Sequence, residues 1–170
     1  SESARLERGL LPQPLMETTE VAVHTFYRSG RAMGLLGGDF FDVVQVGDDK
    51  LHVIVGDVCG HGPDEAALGA LLRVSWRALV LAGVDEPQIL PKLQQVLVSE
   101  RHDRRLFTTV CTVAISPHPD GGHEALVRLA GHPPPLVLGR APRSVAPPIG
   151  LPLGILPNAN WAAAEITLQP

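Results

Sequence analysis

The chain predicts an α+β fold: two helices grouped together between runs of β-strand, packed on a mainly antiparallel sheet. Three observations predict it. The element order is strands, two helices, then strands, with no strand–helix alternation of the kind a doubly wound sheet needs. Two windows in the middle carry apolar residues at helical spacing. The flanking segments carry short β-rich runs bounded by glycine and proline turns.

From the N-terminus, Glu2 to Leu11 reads as a short amphipathic helix with Leu6, Leu10 and Leu11 on one side, stopped by Pro12 and Pro14. This divides the chain into an N-terminal helix and linker, 1–14, and one domain, 15–170. Val21–Tyr27 alternates and reads as a strand. Val43–Val46 and Leu51–Val55 flank Gly47-Asp48-Asp49-Lys50 and read as a hairpin. Asp64 to Leu81 is a strongly apolar helix, with Pro63 in the favoured first turn and Gly83 beyond its end. Glu86–Ser99 is a second helix, carried by Ile89, Leu90, Leu93, Val96 and Leu97. Phe107–Ile115, Glu124–Ala130, Leu136–Leu138 and Ala162–Leu168 read as strands. The proline- and glycine-dense stretch from Gly131 to Pro157 reads as loop with short edge strands.

Length and composition narrow the function. A chain of 170 residues, 45% apolar and 19% charged, builds one real core. A net charge of −4 argues against nucleic acid as the main partner. No run is long and apolar enough for a membrane span, and the polar, charged N-terminus does not read as a secretory signal, so a cytoplasmic, membrane-free protein is expected. Cys59 and Cys111 stand far apart and read as reduced thiols.

The chemistry concentrates in two segments, Gly37-Gly38-Asp39-Phe40-Phe41-Asp42 and Gly56-Asp57-Val58-Cys59-Gly60-His61-Gly62. A hairpin turn centred near Asp48 sets Asp39 opposite Asp57 or Val58. Facing side chains in an antiparallel pair lie about 4.5–5.5 Å apart at Cβ. Two carboxylates that close repel unless a cation or a proton sits between them. The pattern points to a hard divalent metal on oxygen ligands, and so to water activation. The plainer reading is that Gly-Asp pairs serve hairpin turns, and a one-residue slip would move Asp57 to the other face. His61 and His132 are each read as a loop-ordering histidine ahead of a general acid. Arg28 and Arg31 precede Asp39 and are weighed as a clamp for substrate phosphate against ordinary surface charge.

These segments form part of an ordered set: Leu10-Leu11-Pro12, the two acidic motifs, Ala66-Ala67, Phe107-Thr108-Thr109, Ala130-Gly131-His132-Pro133-Pro134 and Gly150-Leu151-Pro152-Leu153-Gly154. The set resembles the bacterial branch of the metal-dependent (2C-like, PPM) protein phosphatases, the sporulation stage II E type, from about Leu10 to the end of the chain. The resemblance implies an α/β/β/α sandwich of two antiparallel sheets flanked by helices. It implies a serine/threonine phosphatase working with two Mn²⁺ or Mg²⁺ ions on a phosphorylated anti-sigma-factor antagonist or another phosphoprotein. Asp57 matches the aspartate that bridges both metals, Val58 the residue lending a backbone carbonyl, and Asp39 the acidic ligand of the first strand. Both aspartates are therefore the expected catalytic residues, and Asp42 is a secondary candidate, as a water-mediated ligand or as a partner orienting the site. The family's next strand, with its own aspartate ligand, would follow Pro170. The expectation is thus a sandwich lacking C-terminal strands, a depleted metal site, and an edge that invites a homodimer. The competing expectation is a catalytically impaired phosphatase-like binding module.

Overall fold

The computed structural model describes residues 12–18, 21–27, 37–139, 141–145 and 147–169. The expected helix at Glu2–Leu11, and Arg28 and Arg31, lie outside the described residues. The elements are β1 (Asp39–Val46), β2 (Lys50–Val58), α1 (Pro63–Leu81), α2 (Glu86–Glu100), β3 (Thr108–Pro117), β4 (His123–Ala130), β5 (Leu136–Val137), β6 (Arg143–Ser144), β7 (Ile149–Gly150) and β8 (Ala163–Leu168).

The main sheet runs β1-β2-β3-β4 with antiparallel neighbours. The outer edge of β4 is shared. β8 lies antiparallel along His123–Arg128, and β7 runs parallel beside Leu129 and Ala130. β5 and β6 form a separate two-stranded ribbon. The α+β class and the grouping of the helices are as expected. Most predicted elements fall within one or two residues of their expected limits.

Val21–Tyr27 is a correction: among the described residues it forms no strand, and Phe26 in it is 88% exposed. Period-two alternation says only that one face is apolar; it supplies no ladder partner. The place beside β1 goes instead to Leu15, whose N–H donates to the Val43 carbonyl at 2.9 Å and whose carbonyl accepts from Gln45 at 2.7 Å. The Gln45 side chain then accepts from the backbone of Glu17 and Thr18, holding this segment to the sheet.

α1 forms because Pro63 fits its first turn, Asp64 and Glu65 complement the positive helix start, and a long apolar run follows. It ends in a Schellman turn. Gly83, at φ +71°, donates to Val80, and Val84 donates to Leu79. Leu68, Leu72, Trp76 and Val80 recur every fourth residue and are buried on the sheet. They meet Phe40, Val44, Ile54, Val58 and Val110, while Ile89, Leu90, Leu93 and Leu97 of α2 extend the same core. Gln94, buried in α2, accepts from Gly154 N–H and donates to the carbonyls of Leu156 and Pro157, pinning the 154–157 loop to the helix.

The opposite sheet face carries a smaller cluster, Cys111, Val127, Leu129 and Val145, with Val113, Val137 and Ile166 against it. β5 supplies Val137 to this cover, and Val145, just after β6, completes it. Cys59 and Cys111 are both free thiols, as expected, and burial pushes the Cys111 thiol up to about 11, which leaves it unreactive near neutral pH.

Gly56 of β2 lies under the ring of Phe40. A Cβ placed there would come within 2.4 Å of Phe40 Cζ. Gly56→Val is therefore expected to lower stability by about 1–3 kcal/mol, the usual cost of overpacking a core. Urea unfolding followed by far-UV circular dichroism measures it; an unchanged midpoint would mean that the ring is free to move aside.

Candidate metal centre

The β1–β2 hairpin sets the site. Gly47, at φ +64°, turns the chain, and the register that follows places Asp39 directly opposite Asp57. Asp57 in turn faces Thr109 on β3. Side chains opposite one another share a face, so Asp39, Asp57 and Thr109 form one row across three strands. The row lies at one end of the sheet, on the face away from the helices. Both aspartates are solvent-exposed.

Partial loss of hydration at the strand end, and next the nearby Asp39 charge, raise the pKa of Asp57 above the ordinary carboxylate value. The second of these causes is the repulsion expected between two carboxylates that face one another across a strand pair. The backbone beside them is unusually close. Val58 N–H donates to the Gly38 carbonyl at 3.1 Å, and a Cβ on Gly38 would sit 2.4 Å from the Val58 carbonyl oxygen. Only glycine fits against that carbonyl, because any side chain at position 38 would run into it. Two carboxylates beside a backbone carbonyl are all-oxygen donors, which suit Mg²⁺ or Mn²⁺ and not a thiolate- or imidazole-seeking metal. The residues present therefore fit a hard divalent ion. Among the described residues no third histidine, cysteine, aspartate or glutamate joins them.

Asp42 is a correction. It is three residues on from Asp39, so strand alternation turns it to the helix face, where it is fully buried. Its carboxylate is taken up by α1. Arg77 donates from Nε at 2.8 Å and from Nη2 at 2.5 Å, and Arg73 Nη1 lies at 3.3 Å. The N–H of Val43 also donates to Oδ1. Asp42 thus orients α1 on β1 and does not face the row of Asp39, Asp57 and Thr109. The two arginines stand four apart on α1, a spacing that marks one helix face; that was the overlooked signal.

Thr109 and His132 are the other residues that sequence reasoning did not place in the site. Val110 and Gly131 form an isolated bridge, which carries His132 beside β3. Thr109 Oγ1 and His132 Nδ1 lie 2.9 Å apart. Burial lowers the His132 pKa, while the Asp39 charge pulls it upward. Their sequence signal was the adjacency of Thr109 to Asp57 once strand register is counted across three strands.

The remaining candidates have structural roles. Cys59 accepts from Phe107 N–H at its sulfur, at 3.3 Å, and its own N–H donates to the Phe107 carbonyl. It ties the loop that follows Asp57 to the start of β3. Gly60 and Gly62 hold φ of +105° and +140°, so the loop around the exposed His61 needs glycine at both places.

Comparison with known proteins places this geometry. Residues 47–170 match the family described as Stage II sporulation protein E (SpoIIE), more than half of the chain. The RsbU and RsbW domains of Rv1364c from Mycobacterium tuberculosis align with a TM-score of 0.69 and 28% identity, over 84% of this chain and 38% of that one. The PP2C phosphatase domain of SpoIIE from Bacillus subtilis aligns with a TM-score of 0.65 and 18% identity, over 80% of this chain and 40% of that one. The SiaA-PP2C domain of Pseudomonas aeruginosa gives 0.64 and 19%, over 79% and 52%. The last two likenesses speak for the fold alone. Protein IcfG of Synechocystis is 29% identical over 69 residues, which is 41% of this chain and 10% of that protein. The chain thus spans a tenth of that curated relative, and 38–52% of these solved chains. No helix among the described residues is long and apolar enough to cross a membrane. With a PP2C-type fold, and with the match running through Asp57, Thr109 and His132, the chain belongs to the stage II sporulation protein E family.

Proposed function

We propose that this chain is the metal-binding core of a serine/threonine phosphoprotein phosphatase. The observation that carries the reading is the pairing of Asp39 with Asp57 across the β1–β2 hairpin, next to Val58. In this reading Asp39, Asp57 and the Val58 carbonyl hold Mn²⁺ or Mg²⁺, two ions in the complete site. Such a centre, when loaded, supplies a water of lowered pKa for in-line attack on a phosphoryl group. The protein's own part is to fix the ligand geometry. Asp39 and Asp57 stand on rigid, paired strand ends, and Gly38 keeps backbone and ligand in register. Arg28 and Arg31 remain proposed clamps for substrate phosphate on sequence grounds. The substrate class is a phosphoserine or phosphothreonine protein. A phosphorylated anti-sigma-factor antagonist is the proposed partner, in keeping with the family and with a structural likeness to an RsbU–RsbW protein. The proposed compartment is the cytoplasm.

A second reading is a phosphatase-like module that binds its partner without turnover. It is favoured by the absence of a third acidic ligand among the described residues. Turnover separates the two. The complete protein is expected to release phosphate from a phosphoserine peptide with Mn²⁺ or Mg²⁺ and to stop with a chelator. Binding of the phosphoprotein without release at any metal concentration would select the second reading, and release that persists in chelator would overturn the first.

A further inference from the structure

The metal row ends on a hydrogen-bonded pair whose work the two aspartates do not explain. Thr109 shares a face with Asp57, and its hydroxyl meets His132 Nδ1 at 2.9 Å. His132 is half-buried and is set in place by backbone: Gly131 bridges to Val110 and donates to the Gly150 carbonyl at 2.7 Å. Gly131 holds φ +68°, and a Cβ on it would meet Pro152 Cγ at 2.5 Å. The arm that presents the imidazole is therefore tightly built and depends on glycine.

A neutral imidazole donates from one ring nitrogen and accepts at the other, and the partner of the first decides the role of the second. The Thr109 hydroxyl rotates freely and can donate to Nδ1. Nε2 then carries the proton. Among the described residues Nε2 has no protein partner. Near the Asp39 charge, and facing an anionic substrate, a proton on Nε2 attracts where a lone pair would repel. We propose that His132, held by Thr109, donates Nε2–H to a non-bridging oxygen of the substrate's phosphoryl group. The pair is a phosphoryl-binding wall at the end of the metal row, and this rests on the phosphatase reading. Such a donor gains strength as charge builds on the transferring group, so it acts on turnover as well as binding.

The test uses the complete protein with Mg²⁺ and three readouts. In ¹⁵N-histidine spectra, His132 is expected as the Nε2–H tautomer, its Nε2 resonance moving when inorganic phosphate is added. Thr109→Val should turn the ring into a tautomer mixture. In kinetics, His132→Ala should lower kcat/KM about 100-fold, alike for a phosphoserine peptide and for p-nitrophenyl phosphate, because both share the non-bridging oxygens. His132→Gln, with an amide N–H near the place of Nε2, should recover part of it. Circular dichroism checks that the variants fold. A loss confined to the peptide would assign His132 to the leaving group and overturn the proposal, as would unchanged kinetics or an Nδ1–H ring. If the wild type turns over neither substrate, the phosphatase reading fails separately. The phosphate-induced shift of Nε2 then decides this proposal, and its absence overturns it.

Discussion

Asp57→Asn in the complete protein is expected to lower metal-dependent phosphopeptide turnover by roughly 1000-fold or more, since a metal centre supplies several kcal/mol of transition-state stabilisation. Asn keeps the shape and one acceptor oxygen but removes the charge that draws a cation to the row. A second effect has the opposite sign. In the metal-free protein the Asp57 pKa is raised, by partial loss of hydration first and by the Asp39 charge next. The folded state then binds more protons than the unfolded state between the ordinary and the raised value. Stability contributed by this group is present below that window and lost as pH rises through it. The Asn variant has no such loss, so its metal-free form should melt at or above the wild type near neutral pH. Wild type should gain about 2.7 kcal/mol in metal at 100 times its Kd, a gain that the variant forgoes. Calorimetry with and without Mn²⁺, beside a phosphate-release assay, measures all three quantities. A variant that keeps both turnover and the metal-induced shift would remove Asp57 from the site.

Much of this was legible in the residues because the site is local. Asp39 and Asp57 are joined by one hairpin, and a glycine-marked turn sets the register by counting. The helices were legible because apolar spacing and proline and glycine ends agree at every turn. What escaped was non-local. Nothing in Val21–Tyr27 says whether a strand partner exists, and Leu15 took the place beside β1. Asp42 looked like a ligand because it shares a motif with Asp39, yet strand parity turns it to the helices. Its true partners are more than 30 positions away on α1, as the hydrogen bonds to Arg73 and Arg77 show. His132 reaches the row only through a bridge between β3 and the turn after β4, a contact that local patterning does not encode.

Asp42 carries the largest expected stability effect, and its argument turns on what is left behind. Its side chain is fully buried, and those of Arg73 and Arg77 are only 11% and 25% exposed. Asp42→Ala would strand two guanidinium groups against an apolar core without a counter-ion. Arg73 Nε already lacks a partner, so little slack exists for rearrangement. Breaking such a cluster from one side costs about 3–5 kcal/mol, whereas exchanging all its members for apolar side chains of similar size is often near neutral. The expected result is a large fall in the urea midpoint for Asp42→Ala, much of it recovered in the triple variant Asp42→Ala, Arg73→Met, Arg77→Met. Natural domains hold only about 5–15 kcal/mol in total, so the single variant should also show a measurable unfolded population on warming. The same experiment separates orientation from ligation. If Asp42 orients α1, the folded fraction of Asp42→Ala keeps its Mn²⁺ affinity within a few-fold. If Asp42 were a ligand, affinity would fall sharply while the midpoint in chelator stayed put. Because α1 begins directly after the Gly60-His61-Gly62 loop that follows Asp57 and Val58, a shifted helix should be felt at the metal row as a lower turnover number, with the ligands themselves untouched.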